Sequence, residues 1–463
     1  MKKIIATSAA LMLLGTMAST ASAATIDFSG DARARFYFKS DYATANQGGS
    51  EESYWQSRVR LVFKIETKGG AYAMGRFRLG DTFPNGWDGS GTAAGAYNNN
   101  RGNFGSNGSS TSSNPNNFRA DIAYVGLPLG QYYVVEAGIG PNTMDRFLRV
   151  DSPYQFIRGK YTNNDSGTTV LAFMEKFSEY RDGSTVSGGL AHGWDQTSGA
   201  SDDEDVNNYG LRVTQQLTDK SRGGWLLDAT VLFLDDQQGD QNGYALVGRI
   251  SGKVGNGIGL YAGGAFKNND YQHWLYGFDN KSRSTATAKT AVNEANRNSD
   301  MNGYGFFLGA SIPVGIASIG VTGGMTFNGY TVGGDFGGDF DGVPFTMLGN
   351  GSNNVSTSMM ATGILIGGVG ANAWFVNVAP SVKVSDKLTL IAESTYASVD
   401  VRSFDPNLRT RTTSFIEVGG IAQYMVTDGA KITAILGYLN IDPPDNQKSE
   451  NPLGFGVALD LKF

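Results

Sequence analysis

Six arginines recur as pairs two residues apart: Arg33 and Arg35, Arg58 and Arg60, Arg76 and Arg78. In an extended chain, residues i and i+2 share a face, so each pair sets two guanidinium groups side by side. A guanidinium is always charged and grips carboxylate or phosphate through paired hydrogen bonds, so the chemistry on offer is anion attraction rather than bond-making. A turn centred on Lys68 sets Arg60 opposite Arg76 and Arg58 opposite Arg78. A first connection centred between Asn46 and Gln47 sets Arg33 opposite Arg60 and Arg35 opposite Arg58. Opposed side chains on paired strands are about 5 Å apart, and like charges so placed are destabilising. A dry core cannot hold that patch, whereas a water-filled lumen with acidic counter-groups can. The alternative is that the arginines only keep a polar wall solvated. Arg119 and Asp121 share one face of a later segment and either extend the wall or form a local ion pair.

Other chemistry has little to stand on. The chain has two histidines, His192 and His273, both in polar connections, and no cysteine. No nucleophile, base and orienter come together in sequence, which argues against an enzyme. Two histidines without carboxylates at ligand spacing do not make a zinc site, and without C-x-x-C-H there is no covalent haem; no cofactor or metal is expected. Acidic clusters at Asp202, Asp203, Glu204 and Asp205 and at Asp335, Asp339 and Asp341 lack the ordered spacing of a calcium loop and read as solvated connections. Gly255-Asn256-Gly257 sits between two strand patterns with no helix after it, so it is not a phosphate loop.

The arginines must be positioned by strands. Ile26, Phe28, Gly30, Ala32, Ala34, Phe36 and Phe38 alternate with Asp27, Ser29, Asp31, Arg33, Arg35 and Tyr37. Trp55, Val59, Leu61, Phe63 and Ile65 alternate with Gln56, Arg58, Arg60, Lys64 and Glu66, and Phe77 and Leu79 with Arg76 and Arg78. At the end of the chain Leu453, Phe455, Val457, Leu459, Leu461 and Phe463 hold every odd position, with small or charged residues between. Strands with one wholly apolar face and one polar face suit either a soluble sandwich or a cylinder with lipid outside and water inside. The 64 glycines against 12 prolines favour turns and strands over helix bundles. The apolar stretch Met359–Ala379 is broken by glycines and asparagines and does not read as a spanning helix.

Lys2 and Lys3, the apolar run Ile4–Met17 and Ala21-Ser22-Ala23 form a secretory signal with an A-x-A cleavage site, leaving residues 24–463 as one domain. The formal net charge of the whole chain is −6, and removing two lysines makes it more acidic, which argues against a nucleic-acid partner.

Counting alternating segments from Ile26 to Phe463 gives an all-β antiparallel barrel of 18 strands, with 16 as the alternative count. Tight turns such as Lys68-Gly69-Gly70 alternate with long polar connections at 81–117, 178–205, 268–300 and 331–370. The pattern fails in the last three, where a further hairpin has room. Tyr37, Tyr54 and Trp55 at one end, and Tyr132, Tyr133, Tyr424 and Phe463 at the other, suit aromatic girdles.

The signal, the alternation of short and long connections, the hairpin beginning Ala123-Tyr124-Val125-Gly126-Leu127 and the strand ending on Phe463 together resemble Gram-negative outer-membrane porins. That resemblance implies a passive aqueous channel in the outer membrane, a homotrimer among lipid and lipopolysaccharide, open to ions and small polar or anionic solutes. It further implies that the connection after the fifth strand folds into the barrel, setting Asp145 and Asp151 against the arginine wall. Alternatives are a channel specific for a sugar or a carboxylate, and a barrel serving as an adhesin or structural protein through its large connections.

Overall fold

The computed structural model describes residues 24–40, 52–82, 118–141, 153–181, 203–219, 224–236, 241–255, 257–268, 270–271, 302–328, 372–401, 411–442, 451 and 453–463. They hold 18 strands: β1 Thr25–Ser40, β2 Glu52–Glu66, β3 Tyr72–Thr82, β4 Phe118–Leu129, β5 Tyr133–Pro141, β6 Pro153–Asn163, β7 Thr168–Arg181, β8 Asp203–Gln216 and β9 Leu226–Asp236, followed by β10 Gln241–Val254, β11 Ile258–Lys267, β12 Gly303–Val314, β13 Ala317–Phe327, β14 Asn372–Lys383, β15 Leu388–Val401, β16 Arg411–Thr427, β17 Ala430–Asp442 and β18 Leu453–Lys462. Every strand pairs antiparallel with its neighbours in sequence, and β1 pairs with both β2 and β18, so the sheet closes on itself. The count is 18; the alternative of 16 is set aside. No helix among the described residues is long and apolar enough to cross a membrane.

Closure is completed at the last residue. Gly30 on β1 donates its N–H to the Phe463 carbonyl at 2.8 Å and accepts from the Phe463 N–H at 3.1 Å. A Cβ on Gly30 would lie 2.7 Å from the Phe463 ring and 2.4 Å from the Arg60 carbonyl oxygen, so only glycine lets the ring lie on the seam.

Alternation decides the two faces. On β18, Leu453, Phe455, Val457, Leu459 and Leu461 are exposed on the outside while Gly454, Gly456 and Ala458 are buried on the inside. The same exposed apolar series continues around the cylinder through Leu211, Val231, Leu246, Leu308, Val376, Val418 and Leu436. An uninterrupted apolar exterior of this extent needs a hydrocarbon solvent. With strands about 4.8 Å apart and tilted about 40°, 18 strands make a cylinder about 36 Å between opposite strand axes, wide enough for a channel.

The short turns all lie at the end that carries both chain termini. Gly70 (φ 82°) closes the β2–β3 turn, where Thr67 donates its N–H to Ala71 at 2.8 Å. Asp428-Gly429 (φ 83°) closes the β16–β17 hairpin in the manner of two-residue loops. Rings ring this end on the outside, with Tyr133 against Tyr161 (5.1 Å between centroids) and Tyr424 and Phe463 exposed. At the far end the girdle is made by Phe36 with Phe455 (5.7 Å), Phe266 with Tyr304 (5.1 Å) and Trp374 with Tyr396 (5.0 Å). The expected girdle there is corrected in part: Tyr37 pairs with Tyr54 on the inner parity, and only Trp55, opposite Phe36, keeps outer parity. Asp203, Glu204 and Asp205, expected in a connection, belong to β8 and pair with Arg181, Tyr180 and Glu179. The connections 83–117, 182–202, 272–301 and 329–371, and with them His192, His273 and the cluster at 335–341, lie outside the described residues.

Gly30→Val is expected to destabilise the seam by about 1–3 kcal/mol, the usual effect of overpacking a close contact. In detergent, the temperature at which the compact electrophoretic form gives way to the unfolded one falls. An unchanged transition temperature would mean that the Phe463 ring is not held over β1.

Candidate functional site

The arginines come together on the inner parity of β1 to β4, in a register two residues from the expected one. Glu66 pairs with Tyr72, which centres the β2–β3 turn on Gly69 rather than Lys68; Arg60 therefore faces Arg78, Arg58 faces Gly80 and Arg76 faces Val62. Between β1 and β2, Arg33 faces Arg58, Arg35 faces Gln56 and Asp31 faces Arg60. The four expected arginine pairings are thus replaced by two different ones, Arg33 with Arg58 and Arg60 with Arg78. A shift of two keeps every side chain on its face and changes only its neighbours. Arg119 pairs with Arg78, extending that row to a third guanidinium position. A bulge inserts Asp121 between Ala120 (opposite Phe77) and Ile122 (opposite Arg76), so Asp121 and Arg119 are not set on one face by simple alternation. The side chains of Arg35, Arg78 and Arg119, and residues Asp145 and Asp151 altogether, fall outside the described set.

The carboxylate that the register brings to the wall is Asp31. Arg60 donates from Nε to its Oδ2 at 2.7 Å and Arg58 from Nη2 to its Oδ1 at 3.2 Å, with all three side chains partly exposed. One carboxylate therefore spreads its charge over two guanidiniums. Asp460 of β18 stands opposite Arg33 across the seam, and Lys462 opposite Asp31.

A second group continues around the inner wall. Glu136 on β5 faces Arg158 on β6, accepts from its Nε and accepts from the Tyr72 hydroxyl of β3. The Arg158 guanidinium lies over the Phe156 ring at 4.5 Å and the Tyr124 ring at 5.6 Å, a stacked and ion-paired setting that fixes its plane. Two strands further round, Arg212 of β8 grips Asp228 of β9 with both Nε (2.8 Å) and Nη2, and Asp228 also stands opposite Arg249 of β10. Arg249 lies 5.7 Å from the Tyr261 ring, and the Tyr261 and Thr322 hydroxyls share a 2.5 Å hydrogen bond.

Beyond β13 the inner wall changes character. Thr322, Asn377, Thr395 and Glu417 form one cross-strand row, with Asn377 donating to the Thr395 hydroxyl at 2.7 Å, and Glu393 lies diagonal to Glu417. Glu393 and Glu417 are buried. Among the described residues the interior is thus basic over β1–β4, mixed over β5–β10 and acidic over β15–β16. Sequence reasoning found the arginine pairs but missed Asp31, Glu136, Arg158, Arg212, Arg249, Glu393 and Glu417. Each sits on inner parity in its strand, so the signal was present, without the doubled spacing that made the arginine pairs conspicuous.

A closed 18-strand antiparallel barrel, apolar outside and lined inside by opposed charges, is the fold of Gram-negative outer-membrane porins. No protein-family model matches the chain, and no curated protein matches it. Among solved structures it is similar to OpdQ of Pseudomonas aeruginosa, with TM-score 0.52 and 10% identity over 94% of this chain and 97% of that one. It is similar to a BenF-like porin of Pseudomonas fluorescens Pf-5, with TM-score 0.53 and 10% identity over 94% and 99%. It is also similar to OccAB4 of Acinetobacter baumannii, with TM-score 0.53 and 10% identity over 94% and 98%. At these identities the likeness is one of fold.

The buried Glu136 gives a graded prediction. Tyr72→Phe removes one of its donors and is expected to cost about 1 kcal/mol. Arg158→Met strands the carboxylate and is expected to cost about 3–5 kcal/mol. Unfolding midpoints in urea, measured in micelles, report the order; equal midpoints would show that Arg158 does not hold Glu136.

Proposed function

We propose that the chain is an outer-membrane diffusion channel for ions and small polar solutes, with an anion preference set by Arg33, Arg58, Arg60 and Arg76. Arg35, Arg78 and Arg119 belong to the same inner-parity wall by register. The carrying observation is the pair of rows Arg33/Arg58 and Arg60/Arg78/Arg119, against which Asp31 is the one carboxylate hydrogen-bonded to Arg58 and Arg60 among the described residues. Rings and rows of arginine in a wet lumen favour anions, since they replace part of the hydration lost in a constriction. Export through a cleaved signal at residues 1–23, a single mature domain and assembly as a homotrimer among lipid and lipopolysaccharide belong to the same proposal. So does the facing of Asp145 and Asp151 to the wall. Catalysis and cofactors have no place in it.

The guanidinium pair on Asp31 also favours a second reading, a channel selective for carboxylates. Arg58 and Arg60 already hold one carboxylate with one donor each, and a solute carboxylate competing with Asp31 would find the same donors.

In planar bilayers under a salt gradient, an ion passing about 8 Å from a unit charge in water gains or loses about 0.5 kcal/mol, roughly a twofold change in occupancy. Arg60→Gln should therefore lower the anion-to-cation permeability ratio about fourfold, anion occupancy falling and cation occupancy rising about twofold each, and Asp31→Asn should raise it by a similar factor. Reversal potentials that move together, or not at all, would remove the wall from selectivity. The carboxylate-specific reading requires that one carboxylate block the current saturably and lose its block in Arg58→Gln.

A further inference from the structure

The inner wall of β14–β16 carries a group of oxygens to which the channel reading gives no role. Asn377 of β14 stands opposite Thr395 of β15, and Thr395 opposite Glu417 of β16. Glu393 lies two residues along β15 from Thr395, on the same face, and stands opposite Gly419, which contributes no side chain beside the two carboxylates. Opposed side chains are about 5 Å apart at Cβ and diagonal ones about 7–8 Å, so the four end groups can converge on one point over the wall. Asn377 is 0% exposed, Glu417 2%, and Glu393 and Thr395 4% each. One oxygen of the group points to a ligand. Asn377 donates from Nδ2 to the Thr395 hydroxyl at 2.7 Å, which turns its amide toward β15. The other half of that amide, Oδ1, is buried and accepts no hydrogen bond among the described residues. Thr322, on the far side of Asn377, has its hydroxyl engaged with that of Tyr261 at 2.5 Å. A buried carbonyl oxygen without a donor is destabilising, and a bound cation relieves it.

We propose that Asn377 Oδ1, the Thr395 hydroxyl and the carboxylates of Glu393 and Glu417 form a site for a divalent cation, Ca²⁺, on the inner wall. The donor set is oxygen throughout, without nitrogen or sulfur, which selects a hard cation. Ca²⁺ accepts six to eight oxygens in a flexible shell and takes carboxylate, amide and hydroxyl donors together, whereas Mg²⁺ demands a tighter octahedron and keeps its waters. The two carboxylates match its charge. The consequence for transport rests on the channel reading above. With Ca²⁺ bound, the acidic sector over β15–β16 no longer opposes the basic one over β1–β4, so the anion preference of the lumen rises with calcium.

Binding is measured first, on full-length protein in detergent freed of metal by a chelator. Equilibrium dialysis against calcium chloride should find one site with a Kd of about 0.1–1 mM, the range of modules that work outside the cell. Asn377→Ala and the isosteric Glu417→Gln should each weaken it about tenfold or more. Asn377→Asp keeps the oxygen, adds a charge and should bind more tightly, which a merely structural asparagine would not do. Thr433→Val removes another buried inner-wall hydroxyl, two strands from Thr395, and should bind as the parent does. In planar bilayers at fixed ionic strength, raising calcium from about 10 μM to about 10 mM spans that Kd. At about fourfold per unit charge for ions passing about 8 Å away, the anion-to-cation permeability ratio of the parent should rise on the order of tenfold, and that of Glu417→Gln far less. No bound calcium at about 10 mM, or binding that neither Asn377→Ala nor Glu417→Gln weakens, overturns the site. Binding without a change in reversal potential overturns its part in selectivity. A parent chain that binds calcium and conducts nothing overturns the channel reading and leaves the site standing.

Discussion

The structure depends on one constraint: in hydrocarbon, every backbone N–H and C=O must find a partner within the protein, because no water replaces a missing one. An open sheet of this length would leave two edges unsatisfied. Pairing of β1 with β18 removes both, and the exchange of two hydrogen bonds between Gly30 and Phe463 carries that pairing to the final residue. Thr25–Ser29 extend past the end of β18 and pair only with β2, so the seam is staggered, as a tilted closed sheet requires. The apolar exterior and the charged interior both follow from closure, since a cylinder has one face toward lipid and one toward the lumen.

The strands were legible in the sequence because a barrel writes its faces at period two. Expected segments at 26–38, 243–254, 387–400 and 430–441 differ from β1, β10, β15 and β17 only at their ends. Register was not legible to the same degree. Parity survives any shift by two residues, so the arginines stayed on the inner face while the turn centre moved from Lys68 to Gly69 and Asp31 took the place expected for an arginine. Turn centres are set by local hydrogen bonds, here Thr67 to Ala71 and Gly70 to Thr67, which hydrophobic pattern does not record. The Asp121 bulge is a similar case: one extra residue in β4 decides which side chains meet β3, and nothing in Arg119–Asp121 announces it.

The opposite kind of departure occurs on β9, where the alternation itself fails. Val231-Leu232-Phe233-Leu234 is apolar on both parities; Val231 and Phe233 meet the outside, while Leu232 and Leu234 are sealed within. A run apolar on both faces marks a strand buried on both, and in a barrel that means something packs against the wall from the lumen side. The sequence therefore carried the sign of an occupied sector. Reading every second residue as lipid-facing and the rest as water-facing hides it.

Glycine abundance has a specific use in this wall. The Tyr72 ring lies where a side chain on Gly126 would be, with the nearest ring atom 2.2 Å from the position of a Cβ. Phe173 lies over Gly210 in the same way, and Phe375 over Gly324. All three rings have inner parity and all three glycines are their cross-strand neighbours or the next ones to them. A large ring standing upright would project into the lumen, and one laid on a neighbouring Cβ would be forced off its rotamer. Laid on glycine, it covers backbone that would otherwise be wet and keeps its bulk against the wall. The rings thereby stiffen the sheet from inside, and Tyr72, flattened over Gly126, brings its hydroxyl to Glu136 two strands away. Aromatic bulk, glycine and the buried ion pair are one device, so the charges that shape the lumen are held by packing as much as by their partners.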